Sequence, residues 1–183
     1  MTATQAAPAG RVFWITGLSG AGKSTTCRAL VAALRAEGRA VVMLDGDELR
    51  EVMDAAQLHT RDERLGLAMR YARLCGLVAR QGVDVAIATI SLFREVHGWN
   101  RRNLPGYVEV YLRVPMHVLE SRDPKRIYAR ARAGEIANVA GVDLAIDEPL
   151  APDIVVDHAP GEGPEAIADR ILLHARTSRT RTP

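Results

Sequence analysis

The sequence predicts an α/β fold: a doubly wound parallel sheet of about five strands, flanked by helices and carrying a basic lid. Three observations lead there. Short apolar runs alternate with segments of helical period along most of the 183 residues. Those runs are nearly continuous rather than alternating, as expected of strands covered on both faces. One arginine-rich segment, 122–147, falls outside the rhythm.

The first run, Val12 to Thr16, ends at Gly17. Ser24 to Glu37 follows with Cys27, Leu30, Val31 and Leu34 on one helical face, and Gly38 stands where a helix stops. Ala40 to Leu44 is the second strand. Arg61 to Gln81 reads as a long helix with Leu67, Tyr71, Leu74 and Val78 on one side. Val83 to Ile90 is the third strand, apolar except for Asp84 and Thr89. Val108 to Val114 is the fourth and alternates more, and Ile154 to Val156 is a short fifth. Pro164 and Glu165 open a closing helix through Ile167, Ile171 and Leu172. Residues 1–10 and 176–183 are expected to be loose tails around one domain, 11–175.

Composition narrows the function classes. A net charge of +2 gives no basis for nucleic-acid or anionic-membrane binding, and 4% aromatic residues disfavour a base-stacking platform. The two cysteines, Cys27 and Cys75, are too few for a disulfide scaffold or a zinc cluster and read as buried thiols. The five histidines show no metal spacing and read as surface or pocket-edge groups; Trp99 and Tyr71 read as core. No apolar run approaches the ~18–20 residues of a membrane span. The amino terminus lacks the charged-then-apolar order of a signal peptide. A cytoplasmic protein is the expectation.

"GLSGAGKS" matches G-x-x-x-x-G-K-[ST], between a strand and a helix as that motif requires. The glycines let backbone N–H groups curl around a phosphate, and the helix N-terminus adds positive potential. Gly17, Leu18, Ser19, Gly20, Ala21, Gly22, Lys23, Ser24 and Thr25 therefore form a candidate ATP-binding loop. Lys23 reaches the β- and γ-phosphates and Ser24 ligates Mg²⁺. The fold is thus of P-loop NTPase type. No N-K-x-D run for guanine is present, and the third strand ends in "IATIS" without an acid. The carboxylates of "LDGDELR", Asp45 and Asp47, end the second strand, where ligands of open α/β sheets bind. Asp45 is the candidate second metal ligand. "RDPKRIYARARAGE" carries Arg122, Lys125, Arg126, Arg130 and Arg132, the makings of a lid over an anionic ligand.

From about Phe13 to Asp157 these residues resemble the adenylyl-sulfate (APS) kinase family. "WITGLSGAGKSTT", "LDGDELR", "ISLFRE" and "RDPKRIYARARAGEI" are similar to its P-loop, Asp-Gly-Asp-x-x-Arg, Ile-Ser-Pro-aromatic-Arg and lid motifs. The resemblance implies transfer of the γ-phosphoryl of MgATP to the ribose 3′-hydroxyl of a small-molecule sulfated nucleotide, commonly by a homodimer. It implies catalytic roles for Lys23, Asp47 and Lys125, with Asp47 orienting or deprotonating the acceptor hydroxyl. Arg50, Arg70, Ile90, Ser91, Arg94 and Val139, with Asp47 and Lys125, would line the acceptor site. Arg122 would lie on the ATP side.

The sequence departs from the family on the acceptor side. Two phenylalanines that would sandwich the acceptor's adenine are missing: "DAAQLHTRDER" offers no aromatic but His59, and "NVAGVD" places Val139 where the second ring would stand. "LAMR" replaces an Asn-Ile-Arg-Arg run and keeps only Arg70, and Leu92 replaces the loop proline. Two lost rings forfeit roughly 1–3 kcal/mol of stacking each. "ATISLF", "WNRRNLPGYVEVYL" and "GEIANVAGVD" resemble a branch of surface-polysaccharide clusters that phosphorylates cytidine diphosphoramidate, whose pyrimidine is smaller. Both acceptors stand open at this level, as does a nucleotide-binding regulator without kinase activity.

Overall fold

The alternation of apolar runs and helical segments becomes a five-stranded, wholly parallel sheet in the order β2-β3-β1-β4-β5. The computed structural model describes residues 8–123, 125–158 and 161–179. The strands are β1 (Val12–Thr16), β2 (Val41–Asp45), β3 (Asp84–Thr89), β4 (Val108–Arg113) and β5 (Ile154–Asp157). Between and after them run α1 (Lys23–Ala36), α2 (Gly46–Val52), α3 (Arg61–Ala79), α4 (Arg94–Asn103), α5 (Met116–Arg122), α6 (Ile127–Arg132) and α7 (Pro164–Arg179).

Because side chains alternate across a strand, β1 feeds two cores at once. Phe13 and Ile15 pack with α1 and α7; Val12 and Trp14 pack with α3 and α4. All five residues of β1 are buried. The buried face of α3 is Leu67, Tyr71, Cys75 and Ala79, with Ala68, Ala72 and Gly76 beside it. Leu74 and Val78, expected at its centre, are only half-buried at its margin. Thr60 caps this helix: its side chain accepts from the Glu63 N–H, and Glu63 returns a bond to the Thr60 N–H.

β1 lies between β3 and β4, so the chain reverses its winding direction beside the carboxyl end of β1. That is where a crevice opens in such sheets, and the P-loop sits there.

Three expectations change. Gly10 belongs to the domain rather than to a tail. It is buried, its N–H donates to Ala79 at 2.8 Å, and a Cβ on it would sit 2.1 Å from the Val83 carbonyl oxygen. At the other end α7 continues to Arg179, and Arg176 pairs with Glu37 of α1. Residues 1–7 and 180–183 lie outside the described residues. The short helices α2, α4 and α5 stand in stretches whose apolar period is too brief to announce them.

Asp84, the charged residue opening the buried strand β3, ties three segments together. Its carboxylate accepts from the Arg11 backbone N–H (2.8 Å) and from Arg39 Nε and Nη2 (2.5 and 2.9 Å). Removing it leaves two sets of donors unpaired at a site where its own side chain is 2% exposed. Asp84→Ala is expected to destabilise the fold by about 2–3 kcal/mol, read as a lower urea midpoint at unchanged slope.

Candidate active site

Positive φ at Gly17 (150°), Gly20 (78°) and Gly22 (94°) lets the chain between β1 and α1 curl with its amides inward. Gly22 caps α1. Lys23 folds back across the loop, and its Nζ donates to the Leu18 carbonyl at 2.7 Å. Burial lowers the Lys23 pKa to about 8, against the pull of Asp47 and Asp45 in the other direction.

The "LDGDELR" stretch is a strand end passing directly into a helix. Asp45 is the N-cap of α2: its Oδ1 accepts from the Asp47 N–H at 2.9 Å. Its Oδ2 accepts from the Ser24 hydroxyl at 2.5 Å. Gly46 suits this close passage, because a Cβ would lie a tight 3.1–3.3 Å from Thr89 and the Ala88 carbonyl. Asp47 then stands in the first helical turn. Arg50, one turn on, donates from Nη1 to the carbonyls of Ala55 and Leu58, both at 2.8 Å.

A cavity of about 890 Å³ joins these groups. Ser19, Gly20, Gly22, Lys23, Ser24 and Thr25 line it, with Asp45, Asp47 and Lys125. Arg50, His59, Arg64, Ser91 and Val139 line it too. Lys125 Nζ sits 2.5 Å from Asp47 Oδ2, and both side chains are more than half exposed. The lid is a short helix, α6, rooted in the P-loop: the buried Tyr128 donates its hydroxyl to the Ser19 carbonyl at 2.8 Å. Asp123 accepts from the N–H groups of Ile127 and Ala129 (2.7 and 2.9 Å) and so starts that helix. Pro124 of the lid motif lies outside the described residues.

Val139 is buried on the cavity wall in a turn organised by Asp143, whose carboxylate accepts from the N–H groups of Asn138 (2.7 Å) and Val139 (2.5 Å). Ile90 and Ser91 also line the cavity. Arg122 lies elsewhere, with Gly22, Thr25, Asp157 and His158 around a second hollow of about 470 Å³. Its Nη1 is 3.4 Å from the Gly20 carbonyl.

Two expected acceptor-side residues do not meet the cavity. Arg70 is exposed and does not line the cavity. The arginine of α3 that faces the cavity is Arg64, which donates to the His59 carbonyl at 2.9 Å. Its position, three and seven residues before Leu67 and Tyr71, was the available signal, since those residues share one face. Arg94 is exposed as well; its backbone N–H approaches Asp147 at 3.3 Å, while Phe93 lines the cavity. His97, expected near the surface, is buried.

Comparison with known proteins follows the same outline. The sequence profile described as Adenylylsulphate kinase matches residues 9–157. The chain belongs to the adenylylsulphate kinase family. It is 41% identical over 178 residues to the adenylyl-sulfate kinase of Paraburkholderia xenovorans, covering 92% of this chain and 94% of that one. It is 38% identical over 148 residues to the cytidine diphosphoramidate kinase of Campylobacter jejuni, covering 81% and 86%. The APS kinase of Mycobacterium tuberculosis, solved with AMPPNP and APS, matches with a TM-score of 0.85 at 30% identity, over 92% of this chain and 99% of that one. As a member of this family the protein is a kinase, a phosphotransferase with a hydroxyl acceptor.

An exposed ion pair holds little folding energy. Lys125→Ala is therefore expected to move Tm by less than about 2 °C in differential scanning fluorimetry, so any loss of turnover in that variant reports on the site and not on the fold.

Proposed function

We propose that this protein transfers the γ-phosphoryl of MgATP to the ribose 3′-hydroxyl of an activated nucleotide, adenylyl sulfate in the first instance. One observation carries the reading: Lys23 of the P-loop and Asp47 of α2 line one cavity together with Arg50, Arg64 and Val139. Donor phosphates on the P-loop and an acceptor held by the arginines would meet at Asp47.

In the transfer the acceptor oxygen bonds to the γ-phosphorus while the bond from that phosphorus to the β–γ bridging oxygen breaks, and ADP leaves. The hydroxyl proton passes to the Asp47 carboxylate. Asp47 needs no unusual basicity for this, because the transition state is loose and asks chiefly for alignment and charge neutralisation. Lys23 and Lys125 supply cations beside the transferring group, and Arg130 lines the same cavity. Once Lys125 turns from Asp47 toward the phosphates, the carboxylate is released to face the hydroxyl.

The donor set of Ser24 and Asp45, a hydroxyl and a carboxylate 2.5 Å apart on the cavity wall, fits Mg²⁺. Among the described residues no cluster of three or more His, Cys, Asp or Glu could cage a metal. A cation that binds through one or two protein oxygens and the substrate's phosphates needs none. Bound there, Mg²⁺ would neutralise charge on the β- and γ-phosphates.

A second acceptor, cytidine diphosphoramidate, is favoured by the aliphatic side chains Leu67, Ile136, Val139 and Leu144 of the cavity lining. A smaller base loses less from the valine that stands where the family's second ring would be. We also take the protein to be a cytoplasmic homodimer, which light scattering on the purified chain would test for assembly.

The deciding measurement is ADP release with each acceptor in turn. Turnover with adenylyl sulfate far above that with the cytidine compound supports the first reading, the reverse ratio the second, and acceptor-independent ADP alone overturns both. Asp47→Asn should lower kcat by about 10²–10⁴-fold with the KM for ATP little changed.

A further inference from the structure

Tyr71 stands on the buried face of α3, and its ring belongs to the apolar cluster that includes Trp14, Leu67 and Ile87. Only 3% of the residue is exposed, yet it lines the cavity. A tyrosine set in a core keeps a polar tip that needs a partner. Here the hydroxyl donates to the Gly46 carbonyl at 3.2 Å. Burial pushes its pKa up to about 12, so at neutral pH it keeps the proton that it donates.

The Gly46 carbonyl and the Asp47 N–H are two ends of one peptide plane and point in opposite directions across it. Asp45 Oδ1 holds the N–H end at 2.9 Å, and Tyr71 holds the carbonyl end. A planar unit tied at both ends cannot tilt without stretching one of the ties. Donation to the carbonyl also polarises the amide and strengthens its bond to the carboxylate. The Cα of Gly46 is confined as well, since Thr89 and the Ala88 carbonyl lie 3.1–3.3 Å from where a Cβ would stand.

This plane leads into Asp47, whose side chain is 75% exposed and pairs with Lys125 of the lid. Once that lysine turns away, the direction of the carboxylate depends on the backbone that carries it. We propose that Tyr71 is a positioning residue of the kinase: by holding the carbonyl end of the peptide that Asp45 holds at its other end, its hydroxyl aims the Asp47 carboxylate at the acceptor hydroxyl. Without the hydroxyl the plane tilts about its one remaining tie, and fewer of the directions open to Asp47 are productive. The P-loop and the cavity arginines still bind both substrates, so the loss falls on turnover.

The inference rests on the kinase reading above, and the two fail differently. A wild type without acceptor-dependent ADP release sinks that reading; an active wild type matched by Tyr71→Phe sinks the positioning role. Tyr71→Phe removes one oxygen and keeps the ring in the core. It is expected to lower kcat about three- to tenfold, the worth of one hydrogen bond. The KM values for ATP and for whichever acceptor supports turnover should stay unchanged.

A second measurement separates aim from fold. Tyr71→Phe is repeated in an Asp47→Asn background, with all rates taken below the onset of unfolding of the least stable variant. The double variant should turn over as fast as Asp47→Asn alone, because no carboxylate is left to aim. A general effect on the fold would instead lower both backgrounds by the same factor, and that result overturns the proposal. So does an unchanged kcat in Tyr71→Phe, or a rise in the acceptor KM alone, which would place the hydroxyl against the acceptor itself.

Discussion

The carboxylate of Asp45 is the point from which the catalytic end of this molecule hangs. One oxygen starts α2 by accepting from the Asp47 N–H; the other holds the Ser24 hydroxyl at the head of α1. Two helices that arise from different strands are thereby set against each other through a single side chain. An N-cap satisfies one of the orphan amides of a helix start, and here it also determines that Asp47 projects toward the P-loop. Gly46 permits the arrangement by letting the backbone pass close to Thr89 at the end of β3. The neighbouring strand ends supply no second acid, so the geometry of this corner, where Mg²⁺ is proposed to bind, falls to Asp45 and the Ser24 it holds.

The lid and the P-loop share backbone contacts as well. Tyr128 reaches from α6 to the Ser19 carbonyl, and Asp123 holds the turn from which α6 starts. Burial of the Tyr128 ring anchors the root of the lid, while the Lys125 and Arg130 side chains stay solvated and able to turn toward phosphate. An exposed cation on a buried footing combines reach with little loss of folding energy, since the apolar ring carries the stability and the charge is left available.

Much of this was legible in the chain itself. The β1 run, the glycine spacing and the Lys23–Ser24 pair specify the phosphate loop because local backbone freedom and one strand–helix junction suffice to build it. The five strands could be read because burial on both faces demands apolar continuity. What could not be read depends on rotation and on distance along the chain. Arg64 and Arg70 differ by six residues on one helix, and only the orientation of α3 against the sheet decides which meets the cavity. His97 read as a surface or pocket-edge group, and its burial was hidden because Glu109, 2.6 Å from its Nδ1, lies twelve residues away in the sequence and in a strand. The α2 helix was hidden because seven residues carry too little periodicity, although Asp45 at its cap was in plain view.

Leu18 of the P-loop packs on Gly141, where an added Cβ would lie 3.0 Å from the leucine Cδ1 and 3.0 Å from Met116. Gly141 closes the Asp143-organised turn that carries Val139. The turn's backbone is thus pinned by the phosphate loop on one side and by a carboxylate on the other, while the side chain at 139 merely fills space. On the proposed reading, such a scaffold would exchange one acceptor for another by changing the cavity-facing side chain at 139 without disturbing the phosphate loop. Divergence within the family would have a ready route there, because the selecting side chain would sit on a frame braced by the very loop that must not change.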